Sequence, residues 1–427
     1  MSVSSVGEPR VLVLSAGSFN RVHGTGITLS NLFQGWPRER LAMIYADPVK
    51  PSAETCDAFY LLSDKEISRL GPLLGMRPIQ HDAPPPPQSS GRSLGAAVGT
   101  VAKAALFGNM LPDNGRLSGE LESWIDDFRP TVVYTPLGSN AMMDLALAIR
   151  ARFETRLVVH FMDDWPSHAY RDGIASAVGR RRMEKLVRDT IDAADLCLGI
   201  SPAMCDAFAE RYGKPFQPFM NAIDLESYAD VARPTRNPNE ILYVGTISPL
   251  AQLQSLVDAC HAAASLRDRG VTLTILSMRG FIDQHRDVLE IAPNITVAEA
   301  SADTAEFIRR IQSAAVLMLP VNYDAKSLDF IRYSMPTKVP AYMASETPIL
   351  AYGPGSVAQI DYAQRDGWAH VVSERSNARL GEAMERLIAD DSLRHDITER
   401  AVAVVRANHD INVVAARFQS ALSSLGG

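Results

Sequence analysis

Short apolar runs alternate with longer amphipathic stretches along the whole chain, and the alternation comes in two series. Val11–Leu14, Leu41–Tyr45, Phe59–Leu62, Thr131–Tyr134, Leu157–Phe161 and Leu196–Ile200 are predicted as the buried strands of the first. A polar, Pro-bearing segment around Val231–Asn239 interrupts the pattern. It then restarts with Ile241–Val244, Leu273–Leu276, Ile295–Val297, Val316–Leu319, Pro348–Tyr352 and His370–Val372. Strands apolar on both faces and bracketed by helices predict parallel sheets covered on both sides. The expected fold class is α/β: two doubly wound parallel-sheet domains facing each other across a cleft. A chain of 427 residues is also too long for one ordinary core. Such sheets bind ligands beyond the carboxyl ends of their strands, so the loops there are where function is sought.

In the second series, helices are predicted over Leu250–Leu266, Thr304–Ser313 and Gly381–Asp390. Helices over Ser392–Ala407 and Asn412–Leu425 close the chain with no strand after them. The last is expected to pack back on the first domain; the alternative is that it stays on its own. The expected boundaries are 1–224 for the first domain, 225–405 for the second and 406–427 for the returning helix. An insertion at about 80–115 breaks the rhythm of the first domain. There Pro84–Pro87 and Gln88–Gly91 form a stiff, then flexible loop. Leu94–Leu111 follows, apolar but for Lys103. It reads either as an interfacial helix making peripheral contact with a membrane or as a helix packed on the first domain.

Charged residues make up 21% of the chain, and the formal net charge of -7 argues against a general nucleic-acid partner. A phosphate site would therefore be a local basic spot in an acidic protein. Cys56, Cys197, Cys205 and Cys260 are scattered without metal-ligand spacing, which fits a reducing cytoplasm. Met1–Arg10 lacks a signal-peptide pattern, and no apolar run has the length to span a bilayer. The expected location is cytoplasmic, with the inner face of the membrane as a candidate docking place.

The loop most suggestive of chemistry is Ser334-Met335-Pro336-Thr337-Lys338, leading into the apolar helix Val339–Ala344 and the strand after it. Pro336 breaks the backbone, and Lys338 brings an ammonium to a helix start, where N–H donors also favour an anion. An ordinary surface lysine at a helix start reads the same way. Lys326 and Arg332 lie nearby in sequence. Gly245-Thr246 follows the first strand of the second series, where a phosphate can approach the backbone. Arg279 follows the second strand as a candidate for phosphate or base. No Asp-x-Asp triplet occurs, so protein cations rather than a metal are expected to hold a diphosphate.

In the first series, Gly24-Thr25-Gly26 heads a helix predicted over Ile27–Gln34, allowing close approach of an anion or a sugar hydroxyl, or simply a tight turn. The strand Leu157–Phe161 holds His160 and runs into Asp163-Asp164-Trp165-Pro166, with His168 close behind. Carboxylates suit hydroxyls and an indole suits sugar C–H faces; a helix cap beside a core tryptophan is the alternative. Asn221-Ala222-Ile223-Asp224 falls where a hinge is expected, and both polar residues also form turns.

Taken together these segments resemble the GT-B glycosyltransferases, closest to the retaining, sugar-nucleotide-dependent family 4, over nearly the whole chain. The resemblance rests on Gly24 and Gly26, on Asp163–Pro166, on Asn221–Asp224, on Gly245 and above all on Pro336–Tyr342. It implies two Rossmann-like domains and transfer of a hexosyl group from a UDP- or GDP-linked nucleotide sugar to a sugar or lipid-linked acceptor. Bacterial polysaccharide or glycolipid biosynthesis is the setting it suggests. No cofactor beyond that donor substrate, and no metal, is implied. Lys338 would stabilise the leaving diphosphate and Asp163 would orient substrate, with Asp163 or His160 the candidate base should the reaction invert. Gly245, Thr246, Arg279, Lys326, Arg332, Ser334, Pro336 and Thr337 would surround the donor. Gly24, Thr25, Gly26, His160, Asp164, Trp165 and His168 would face the acceptor. The chain departs from the family pattern at Thr246, where an arginine is common, and at Tyr333 and Ala341, where paired glutamates stand. A sugar-nucleotide epimerase of the same architecture and a catalytically silent nucleotide-sugar-binding subunit are the rival readings.

Overall fold

A computed structural model of the chain describes residues 8–21, 24–69, 113–171 and 176–425. The Pro84–Pro87 loop and the Leu94–Leu111 stretch lie outside the described residues. The chain divides into two compact units: described residues up to Met220 with those from Val414 onward, and Asn221–Val413.

The first unit is built on a seven-stranded sheet. Its strands are β1 (Val11–Leu14), β2 (Leu41–Tyr45), β3 (Ala58–Leu61), β6 (Val132–Pro136), β7 (Arg156–Phe161), β8 (Leu196–Gly199) and β9 (Phe216–Pro218). They lie in the order β3-β2-β1-β6-β7-β8-β9, and every pairing is parallel. The apolar runs explain this: every residue of β1 and β6 is buried, as a parallel strand covered on both faces requires. Between β3 and β6, the short strands β4 (Ile67–Arg69) and β5 (Asp113–Gly115) pair antiparallel. Neither they nor β9 follow from the apolar pattern, because all are too short to show a period.

Helices of this unit start where short polar residues cap them. Ser118, Ser139 and Ser201 each accept a backbone N–H at the head of Gly119–Phe128, Asn140–Phe153 and Pro202–Tyr212. The closing helix, Ile411–Ser423, places Phe418 in the core of this unit. Its ring meets Phe33, Tyr134 and Phe219 edge-on, at 5.1, 5.4 and 5.4 Å between centroids. Each such pair adds roughly 0.5–1.5 kcal/mol beyond simple burial.

The second unit holds a six-stranded sheet in the order β12-β11-β10-β13-β14-β15, again parallel throughout. The strands are β10 (Asn237–Val244), β11 (Thr272–Ser277), β12 (Ile295–Glu299), β13 (Ala314–Pro320), β14 (Ile349–Tyr352) and β15 (His370–Val372). Its core joins Ile241, Tyr243, Ile275, Val316 and Met318 to Leu256, Ala259 and Ala263 of the helix Leu253–Ser265. β10 begins earlier than its apolar run because buried Glu240 anchors the polar end. That carboxylate accepts from Thr274 and Arg310, which hold its pKa below the usual range against the opposing effect of burial.

In each sheet the strand order reverses direction beside the first strand, between β1 and β6 and between β10 and β13. Those are the topological switch points, where the loops of a doubly wound sheet diverge and leave a crevice. Among the described residues no helix is long and apolar enough to cross a membrane. The four cysteines are all buried and unpaired, as core residues.

Candidate functional site

The switch point of the six-stranded sheet brings together the two most suggestive loops. β10 ends at Val244 and passes into Gly245, whose φ of +150° lies where side-chain-bearing residues are strained. A Cβ built on Gly245 would lie 2.3 Å from Lys338 Nζ and 3.0 Å from its Cε. The glycine therefore leaves the space that the lysine's ammonium fills. Lys338 opens the helix Lys338–Ala344, whose other residues are all buried. Its Nζ donates to Tyr243 Oη at 2.8 Å and sits 4.3 Å from that ring's centroid. Burial of the ammonium brings its pKa down to about 7.

This geometry also limits the loop's role. The Gly245 N–H donates to the Leu276 carbonyl at 3.0 Å, so the sheet has already used it and the amide does not face a phosphate. Tyr342 Oη accepts from Val244 N at 2.9 Å and donates to Val244 O at 3.1 Å, locking the lysine's helix to the end of β10. Thr246 is half-buried, and its carbonyl accepts the Tyr243 hydroxyl. Ser334, Pro336 and Thr337 are half-buried in the turn before the helix, with Ser334 N bonded to Ile331 O at 3.0 Å. Asn221 reaches this turn: its Nδ2 donates to the Met335 carbonyl at 2.6 Å. Asn221 is held in turn by His409, whose Nδ1 meets the Asn221 carbonyl at 2.7 Å. So Asn221 braces the lysine loop rather than only forming a turn.

The other cations are differently placed. Lys326 and Arg332 are exposed, and the atoms nearest the open side of Gly245 are those of Lys338 and Tyr243. Arg279 begins the helix Arg279–Leu289 at the carboxyl end of β11, with its side chain 77% exposed and only a loose 3.7 Å approach to Glu299. Ala341, where the family carries a glutamate, is buried at 6% exposure. Among the described residues no three His, Cys, Asp or Glu side chains gather to hold a metal.

In the first unit, Gly24 begins the helix Gly24–Leu32, and the half-buried Thr25 follows it. Gly26 is required by packing, since a Cβ there would fall 2.3 Å from Asn20 Nδ2. Five residues expected at or beside the acceptor separate here. His160 was placed among acceptor contacts and as a base, but it is 0% exposed, with Nδ1 2.7 Å from Tyr134 Oη. Burial pulls its pKa to about 3, so it stands neutral in the core. Asp164 is also corrected: 4% exposed, it receives two 2.9 Å bonds from Arg211 and one of 2.8 Å from Ser167. A carboxylate so fully paired holds the turn and offers little to a substrate. Trp165 is 7% exposed, a core residue rather than a stacking platform. Asp163 and His168 keep half-buried positions after β7, and Asp163 Oδ1 accepts from Trp165 N at 3.1 Å.

Tyr243, Tyr342 and Arg211 were missed as site residues. Tyr243 lies in a run that reads as apolar filler, Tyr342 ends the segment that carries the resemblance but was given no role, and Arg211 lies in the last turn of a helix. The available signal was that a buried Tyr hydroxyl needs a partner, and Tyr243 stands two residues before a glycine loop.

No protein-family profile matches the chain, and no curated protein matches it. Solved structures do. Anabaena HepE in complex with UDP is 13% identical with a TM-score of 0.63, covering 97% of this chain and 100% of that one. A glycosyltransferase from Rickettsia africae is 10% identical with a TM-score of 0.63, covering 97% and 98%. The α,α-trehalose 6-phosphate synthase of Burkholderia multivorans is 12% identical with a TM-score of 0.62, covering 98% and 97%. At these identities the likeness shows the fold: two Rossmann-like α/β units, as in GT-B glycosyltransferases.

Proposed function

We propose that the chain is a glycosyltransferase that moves a sugar from a nucleoside diphosphate-sugar to an acceptor. The observation that carries the reading is the Lys338 ammonium set against Gly245 at the switch point of the six-stranded sheet. A cation held where such sheets receive ligands suits the charge that grows on a departing diphosphate. UDP is the first nucleotide to try, because HepE was solved with it. Arg279, at the end of β11, is the proposed second contact to the donor, with Thr246 and the Ser334–Thr337 turn around it.

The acceptor is proposed to bind the first unit, near Gly24–Gly26, Asp163 and His168, with Asp163 orienting it. Family resemblance supports transfer of a hexosyl group with retention, needing no metal. In that course the leaving diphosphate oxygen takes the acceptor's proton and no separate base is required. Polysaccharide or glycolipid assembly on the cytoplasmic side of a membrane is the setting we propose on the same resemblance.

Buried Ala341 favours one rival, a silent nucleotide-sugar-binding subunit, because no carboxylate stands there for a ribose. Calorimetry with UDP- and GDP-sugars, followed by product analysis with candidate acceptors, decides between them. The proposal expects binding and transfer, both lost in Lys338→Ala without loss of the folded state. Binding without transfer or hydrolysis supports the silent subunit. Failure to bind any nucleotide sugar would end both readings.

A further inference from the structure

We infer that Tyr243 is a positioning residue for the donor diphosphate: its hydroxyl and ring face hold the Lys338 ammonium in the gap that Gly245 leaves open. The inference rests on the glycosyltransferase reading for its ligand, but its geometry stands apart from it. Tyr243 lies in the last turn of pleat before β10 ends and is 0% exposed. Its hydroxyl carries one proton and gives it to the Thr246 carbonyl. Toward Lys338, 2.8 Å away, the same oxygen can then only accept. The ring adds its negative face, 4.3 Å from the ammonium. The missing side chain of Gly245 supplies the room beside both groups, since a Cβ there would lie 2.3 Å from Lys338 Nζ and 3.2 Å from Tyr243 Oη.

The nature of the partner matters as much as its place. A carboxylate would hold the ammonium and neutralise it. Tyr243 stays neutral, since burial, with a smaller push from Tyr342, raises its pKa well above the ordinary phenol. It fixes the lysine's direction and leaves the positive charge uncompensated, which is what an incoming diphosphate needs. The Tyr342 clamp on both backbone groups of Val244 ties strand and helix together, so Tyr243 and Lys338 move as one piece. Among the described residues Tyr243 is the titratable group bonded to the lysine, and burial is the cause of its lowered pKa.

Tyr243→Phe keeps the ring and removes the acceptor. Two readouts separate this inference from the reading beneath it. Without nucleotide, amine labelling of the full chain followed by mass spectrometry across a pH series gives the Lys338 titration midpoint. That midpoint should fall in Tyr243→Phe, because the charged form has lost its acceptor. With UDP, calorimetry should show affinity lowered by about tenfold. Gly245→Ala, whose methyl crowds the ammonium and the Tyr243 hydroxyl together, should lower affinity while the Tyr243 side chain is retained. An unchanged midpoint and unchanged UDP affinity in Tyr243→Phe, with the wild type binding UDP, would overturn the positioning role alone. If the midpoint falls while no nucleotide binds the wild type, Tyr243 positions Lys338 and the glycosyltransferase reading is what fails.

Discussion

Donor binding should be linked to a proton. In the free protein, burial lowers the pKa of Lys338 from 10.5 to about 7, so near neutral pH about half of the molecules carry a neutral amine there. A diphosphate laid against that nitrogen favours the charged form and should return its pKa toward the usual lysine range of about 10.4. A pKa that rises on binding means that affinity is full below about pH 7 and is lost as pH rises above it. Each unit of pH then costs close to tenfold once the free amine is mostly neutral. Between about pH 7 and about pH 9 the expected loss is roughly fiftyfold, provided the bound pKa stays above that window. A nucleotide sugar is the right probe, because its esterified diphosphate keeps a constant charge over this range. Calorimetry in two buffers of different ionisation enthalpy should show about half a proton taken up near pH 7. A flat affinity from about pH 7 to about pH 9 would refute the placement of the diphosphate on this lysine.

The same burial has a cost for folding. Between about pH 7 and about pH 10.5 the unfolded chain holds more protons at this position than the folded one. On account of this group, stability therefore rises with pH across that window. Lys338→Met, which fills the same space without a charge, should stabilise the free protein by on the order of a few kcal/mol while donor binding disappears. Gain of stability with loss of binding is the behaviour of a group retained for its chemistry.

Two further outcomes follow from buried groups. His160 and His409 have pKa values lowered by burial to about 3 and about 4, so the unfolded chain protonates first, near pH 6.5. Each should remove up to about 1.4 kcal/mol of stability per pH unit as pH falls from about 6.5 toward 4, visible as a falling melting temperature. His409→Gln should flatten part of that fall. Asp164→Ala should cost about 1–3 kcal/mol by removing the acceptor that holds Arg211 and Ser167, whereas Asp163→Asn should leave the melting temperature near wild type and slow transfer. Equal melting temperatures for the two variants would contradict the division of roles between these neighbours.

The adjacent aspartates show where sequence reasoning stops. From the sequence, two acids after a buried strand look like a pair serving one substrate. In the fold, Asp163 turns to the backbone of Trp165, while Asp164 turns inward to an arginine 47 residues away. The parallel sheets were legible because burial on both faces writes itself into every residue of a strand, as in β1 and β6. Lys338 was legible because a proline-broken loop before an apolar helix is a local pattern. Its partner was not, since Tyr243 lies 95 residues away and reads as one more apolar strand residue. Likewise, Asn221 reads from the sequence as a hinge or turn residue, while its amide donates to the Met335 carbonyl, 114 residues on. Periodicity reports which side of an element is buried, but not where a hydroxyl or amide on that side points. A buried tyrosine must give its proton to something. A tyrosine inside a strand that ends in a left-handed glycine is therefore the place to ask what the hydroxyl bonds, and here it gives its proton to the Thr246 carbonyl and accepts from the Lys338 ammonium packed where that glycine lacks a side chain.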